Sequence, residues 1–234
     1  MVIFMKIIKL SKIYTKLYLS KSSIISLIIS SILILVYVFY HIIDNSSNYF
    51  IYYEKININY LDSSFNILKI SLVFIILFLI FREANLLQDS FDVMIESSSG
   101  RNNVFIAKQI TLISLVVIIS LLYFLILYCP IYYVYKLFKF NLLKSYLTLL
   151  LFLIETLEVA LFINYLFKNS FISLLFGLIL VIKGFVNNNI LDYLIPTLVV
   201  NQNISFNVSI YYVLCYISLF TLLNYIIYIK LDRK

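Results

Sequence analysis

Long, unbroken apolar runs separated by short polar stretches make up most of this chain. Six of them approach or reach the roughly 20 residues that a helix needs to cross a hydrocarbon layer about 30 Å thick. They lie at about 24–43, 67–81, 110–128, 147–167, 171–186 and 210–229. The second and fifth are short, so those helices start within flanking residues or stand nearly upright. Barrel strands would alternate apolar and polar positions over about ten residues. These runs are continuous, and a helix satisfies its own backbone polar groups in lipid, so the pattern predicts helices. Tyrosines gather at the ends of the runs (Tyr40, Tyr128, Tyr132, Tyr133, Tyr211, Tyr212), where a ring with one polar tip suits the headgroup level.

Composition sharpens this reading. Of 234 residues, 63% are hydrophobic and 12% charged, and the mean hydropathy is +1.03. A soluble domain is about half apolar and about a quarter charged, so these residues could not coat a water-facing surface. The expectation is an all-α, polytopic integral membrane protein, with residues 1–234 forming one transmembrane domain. Lys and Arg set its orientation. With the N-terminus inside, 12 of the 18 basic residues fall on the inner side and 6 on the outer, although Lys136, Lys139 and Lys144 count against that assignment. The topology predicted is multi-pass in the cell membrane with both termini cytoplasmic, and the abundance of Ile, Asn, Lys, Tyr and Phe suits an AT-rich, bacterial source.

Several chemistries are excluded by what the chain lacks. Its three glycines, Gly100, Gly177 and Gly184, are too far apart to make a phosphate-binding loop. One histidine, His41, cannot supply a two-imidazole zinc site. Cys129 and Cys215 sit in apolar runs at no metal-ligand spacing. No nucleophile or acid/base constellation can be assembled, so an enzyme is not expected, nor a cofactor, a metal or a nucleic-acid partner.

Two polar-containing stretches predict helices of another kind. Residues 1–22 form an interfacial helix, in which Lys6, Lys9, Lys12 and Lys16 fall within about 120° of one another and Ile7, Leu10, Tyr14, Leu17 and Tyr18 fill another sector. That arrangement suits the anionic inner leaflet. Between the second and third spans, Leu86, Leu87, Phe91, Met94 and Ile95 recur at helical spacing with Asp89, Asp92 and Glu96 between them. The predicted amphipathic helix, over 86–95, is ended by Ser97, Ser98, Ser99 and Gly100. It is too short to fold alone and needs either the membrane surface or another protein against its apolar side.

This stretch resembles the permease subunits of the ABC-2 type transporter family. Glu83 takes the place of the family's acidic residue at the cytoplasmic end of the second span. Asp89-Ser90-Phe91-Asp92 stands where Gly-Thr-x-Glu is usual, 12 residues before Arg101, and Lys108 follows Arg101 by the family's seven residues. The departures are Asp89 for the usual Gly and Ser98-Ser99-Gly100 for Pro-x-Ser. The resemblance implies an exporter subunit of six spans whose 83–107 loop carries a coupling helix, with Glu83, Asp89, Phe91, Asp92, Met94, Ile95 and Arg101 facing a separate ATP-binding subunit. ATP and Mg would be bound by that partner, and a second permease copy, identical or not, would complete the path. An antimicrobial peptide, a drug or a lipid-like molecule is the cargo such small permeases suggest.

Glu155 and Glu158 lie three residues apart, on one face of the fourth span. Intramembrane carboxylates are costly and mark functional sites. They could line a substrate path, hold a cation or exchange a proton; alternatively they pair with the Lys136–Lys144 cluster or with a partner chain. Asn164 and Asn224 are expected to hydrogen-bond between helices. Two other classes of function remain open from the residues: a scaffold that recruits a cytosolic partner, and a proton-coupled carrier.

Overall fold

The computed structural model describes residues 2–19, 55–135, 142–168 and 206–230, together with single helical positions between 24 and 40 and at 171, 172 and 175. Among these residues the chain is entirely helical: α1 (Val2–Tyr18), α2 (Lys55–Leu87), α3 (Ser90–Ser99), α4 (Arg101–Tyr135), α5 (Leu142–Phe167) and α6 (Phe206–Lys230). Within them, 101–126, 146–167 and 210–230 are each long and apolar enough to cross a membrane, and 71–87 joins that group only together with α3, across a 77° bend. The predicted spans at 67–81, 110–128, 147–167 and 210–229 thus fall inside α2, α4, α5 and α6. Those at 24–43 and 171–186 lie largely outside the described residues, as does the Lys136–Lys144 cluster.

The bend between α2 and α3 corrects the loop helix read from periodicity. Leu86 and Leu87 are buried and belong to the end of α2. The chain then breaks at Gln88 and Asp89. Asp89 adopts an extended conformation (φ −81°, ψ 129°), and its Oδ1 accepts the Phe91 N–H at 3.0 Å. A carboxylate here satisfies one of the donors left open at a helix start and favours the positive end of the dipole. Ser97, Ser98 and Ser99 lie inside α3 rather than beyond it. Ser97 and Ser98 donate their hydroxyls to the carbonyls of Met94 and Ile95 in the preceding turn. The stop at Gly100 is as expected, since its φ of +83° favours glycine and its N–H bonds the Glu96 carbonyl at 2.8 Å. Gly100 is also the whole linker to α4. α3 is therefore joined to α2 by a two-residue break and to α4 by a single glycine.

α1 lies along α4, α5 pairs with α6, and α2 packs on α5, with α4 touching every other helix. One apolar core runs through them, from Leu10 on α1 through Leu72, Ile76 and Ile80 on α2 and Val104, Leu112 and Val116 on α4 to Leu149, Leu153 and Leu157 on α5. α6 exposes Tyr211, Tyr212, Leu214, Leu219, Leu222 and Ile226, the surface a lipid-facing helix would offer. Lipid tails are as apolar as these side chains, so burial alone gives little preference for one helix arrangement over another. Polar contacts must then select it.

Candidate functional site

α3 turns its charged side inward. Asp92 and Glu96, one turn apart, are buried, while Phe91, Val93 and Met94 are exposed, Met94 by 68%. A lone surface helix would do the reverse. The reason lies beneath it, in Lys108 of α4, which is fully buried.

The Lys108 ammonium donates to Glu83 Oε1 at 3.0 Å and to Asp92 Oδ2 at 2.8 Å. Glu83 comes from the end of α2 and Asp92 from α3, so one cation bridges the two sides of the bend. It also lies over two aromatic faces, 5.2 Å from the Tyr14 ring centre and 5.5 Å from that of Tyr228, within cation–π range. One ammonium against two carboxylates leaves an excess negative charge buried away from the protein surface. Phenol donors offset it: Tyr14 donates to Asp92 Oδ1 at 2.6 Å, Tyr18 to Glu83 Oε2, and Tyr165 of α5 to Glu83 Oε1 at 3.3 Å. Every oxygen of the two carboxylates therefore accepts a hydrogen bond, the condition under which a buried ion cluster is tolerated.

A second node lies against the first. Tyr228 of α6 donates to Glu96 Oε1, and the Arg101 guanidinium approaches Glu96 Oε2 at 3.6 Å. Arg101 is partly exposed and also donates to the Ile229 carbonyl at 2.8 Å, tying the start of α4 to the end of α6. The Tyr228 ring packs against Tyr165 and Phe105 at centroid separations of 5.4 and 5.3 Å. All six described helices thus meet here: Tyr14 and Tyr18 from α1, Glu83 from α2, Asp92 and Glu96 from α3, Arg101 and Lys108 from α4, Tyr165 from α5 and Tyr228 from α6.

Burial, followed by the charge of Asp92, holds the Tyr14 phenol well above its ordinary pKa; burial and then the Glu83 charge do the same for Tyr18. Both therefore remain donors. Further contacts seat α1 on its neighbours: Lys6 Nζ to the Ser98 carbonyl at 3.3 Å, the Ser11 hydroxyl to the Ala107 carbonyl at 3.3 Å, and Arg82 Nε to the Leu17 carbonyl at 3.1 Å. Lys9, Lys12 and Lys16 stay exposed beside Phe4, Met5, Ile8 and Ile13.

The residues singled out from the loop motif consequently divide. Phe91 and Met94 face outward, Asp89 caps α3, and Ile95 packs half-buried against the core. Glu83 and Asp92 point into the bundle, so they hold the loop helix in place and offer no surface to a partner. The four tyrosines and Glu96 were not singled out from sequence. Tyr14 and Tyr18 at i and i+4, opposite the lysine stripe, were the one available signal; Tyr165 and Tyr228 are hidden among 21 tyrosines.

Glu155 and Glu158 are both buried on α5, away from this cluster. Asn224 of α6 donates to Glu158 at Oε2 (2.8 Å) and at its carbonyl (3.0 Å), the interhelical bond expected of it. The Asn164 side chain, equally buried, has no hydrogen-bond partner among the described residues. Among the described residues, no group of three or more His, Cys, Asp or Glu side chains is arranged to hold a metal ion. Comparison with family models, with curated proteins and with solved structures gives no match.

Proposed function

We propose that the chain is the membrane-spanning subunit of an ATP-driven exporter of the ABC-2 type, working with a separate ATP-binding subunit and a second permease copy. The observation that carries the reading is the inside-out polarity of α3. Its carboxylates are bound into the bundle, its ends are fixed by Asp89 and Gly100, and Phe91, Val93 and Met94 are presented outward. A helix built this way suits mechanical transmission. Force applied to its apolar face has no flexible linker in which to dissipate, and it reaches α2 through Glu83–Lys108 and α6 through Glu96–Tyr228. Energy would enter as work done by the partner, so no catalytic group is required on this chain. An antimicrobial peptide, a drug or a lipid-like molecule remains the class of cargo suggested.

The test is purification of the tagged full chain from its native membranes, followed by an ATP hydrolysis assay. ATPase activity should co-purify with the wild type and be lost with Phe91→Asp or Met94→Asp. Activity retained by both variants, or labelling that places 82–108 on the outer side, would overturn the reading. A scaffold would retain a partner on α3 without ATP-dependent transport.

A further inference from the structure

Glu158 differs from the three carboxylates of the Lys108 cluster and its neighbouring node. Both oxygens of Glu83 and Asp92 accept hydrogen bonds, and both oxygens of Glu96 have a phenol or guanidinium partner. Glu158 is completely buried, yet among the described residues its Oε1 has no hydrogen-bond partner, and neither does Oδ1 of the completely buried Asn224 that binds it. The amide orientation is not in question. Its Nδ2 faces two oxygens of Glu158 at 2.8 and 3.0 Å, so exchanging N for O would set three acceptors against one another.

An ionised carboxylate is purely an acceptor, and so is an amide oxygen. With Glu158 charged, nothing in the pair can serve either open atom. Among the described residues no Lys or Arg lies within ion-pair distance of Glu158. The Thr221 hydroxyl, three residues before Asn224, also neighbours the Glu158 carboxylate, but its one proton goes to the Ile217 carbonyl at 2.7 Å. A single proton on Oε1 changes the count at once. It removes the buried charge, turns Oε1 into a donor, and supplies Asn224 Oδ1 with the donor it lacks. The existing Nδ2–Oε2 bond is one half of an acid–amide pair; the proton would complete the other half.

We infer that Glu158 is a proton-binding site at the α5–α6 seam, occupied as a neutral carboxylic acid whose Oε1–H donates to Asn224 Oδ1. The site is independent of what docks on α3. Around it, the titratable groups are Glu155 one turn earlier on α5, and Tyr165 and Tyr228 further along α5 and α6. α2 and α4, which also pack on α5, bring Glu83 and Lys108, both held in their own cluster. None of these is bonded to Glu158, so the proton stays while the seam is closed and is released when α5 and α6 separate.

The test uses the intact wild-type chain in lipid bilayers. Glu158–Val159 is the only Glu–Val step in the sequence, so carbon-13 glutamate with nitrogen-15 valine isolates its signal in solid-state NMR. At neutral pH its carboxyl carbon should resonate in the protonated-acid range and shift when Asn224 is replaced by Ala. Infrared spectra should show a protonated carboxyl stretch that is lost in Glu158→Gln. A wild-type Glu158 signal in the carboxylate range at neutral pH, with or without sodium, would overturn the proposal.

Discussion

The hydroxyl of Tyr14 meets the carboxylate of Asp92 at 2.6 Å across 78 positions of sequence, joining the N-terminal helix to the loop helix. Hydrogen bonds to buried charged groups contribute about 1.5–3 kcal/mol, and Tyr14→Phe leaves Asp92 Oδ1 without its donor. The variant should lose about that much stability in a thermal melt in detergent. Amide exchange should also rise across α1 and α3 together, not across α1 alone.

Lys108 is the cation on which the cluster depends. Lys108→Met leaves Glu83 and Asp92 buried without it, and breaking a buried pair from one side costs about 3–5 kcal/mol. Adding Glu83→Gln and Asp92→Asn removes the stranded charges, so the triple variant should recover a large part of the loss. Thermal midpoints and folded yield after membrane extraction measure both. A triple variant no better than the single one would show that the ion pairs are not the source of the cost.

The two sides of α3 should respond oppositely. Phe91→Asp and Met94→Asp alter exposed positions and should leave chain stability within about 0.5 kcal/mol. Asp92→Ala and Glu96→Ala, which leave buried partners unsatisfied, should destabilise it by about 1–3 kcal/mol each. Melting curves on the isolated chain decide this without any knowledge of the partner.

Tyr14 and Tyr18 give a pH signature. Both phenols are held above their ordinary value, so their contribution is complete below about pH 10 and is lost as pH rises through the folded-state values. Stability measured from pH 9 upward should therefore fall in the wild type. The slope should be shallower in the Tyr14→Phe/Tyr18→Phe double variant.

At Gly100 the cost is backbone strain. A Cβ there would meet nothing closer than Asn103 Nδ2 at 3.9 Å, yet the φ of +83° disfavours any side chain. Gly100→Ala should cost of the order of 1–3 kcal/mol and loosen the α3–α4 junction, read as faster exchange at 96–104.

Helical character and the approximate positions of α2, α4, α5 and α6 were legible because uninterrupted apolar runs admit little else in a bilayer. The stop at Gly100 was legible for the same local reason. The helix start was not, because periodicity carries smoothly from Leu86 to Ile95 while the break at Asp89 depends on a single side chain capping its own backbone. Glu83, Asp92, Arg101 and Lys108 stood out through the resemblance to the ABC-2 permeases. Their inward direction was hidden, since hydrophobic pattern assumes that charge seeks water, and here it seeks Lys108 and four phenols supplied by α1, α5 and α6. Partners separated by dozens of residues leave no periodic trace. Asn224 was legible as an interhelical donor, but its acceptor on Glu158 was not.

Because each of the six described helices sends at least one side chain to the cluster, the chain cannot finish it until α6 has left the ribosome. Lys108 and Glu83 emerge early enough to neutralise one another, but Glu96 waits for Tyr228, 132 positions later. Chains that stop before 206 would bury Glu96 without the phenol that Tyr228 supplies, so an unfinished copy differs from a longer one in how well this acid is satisfied.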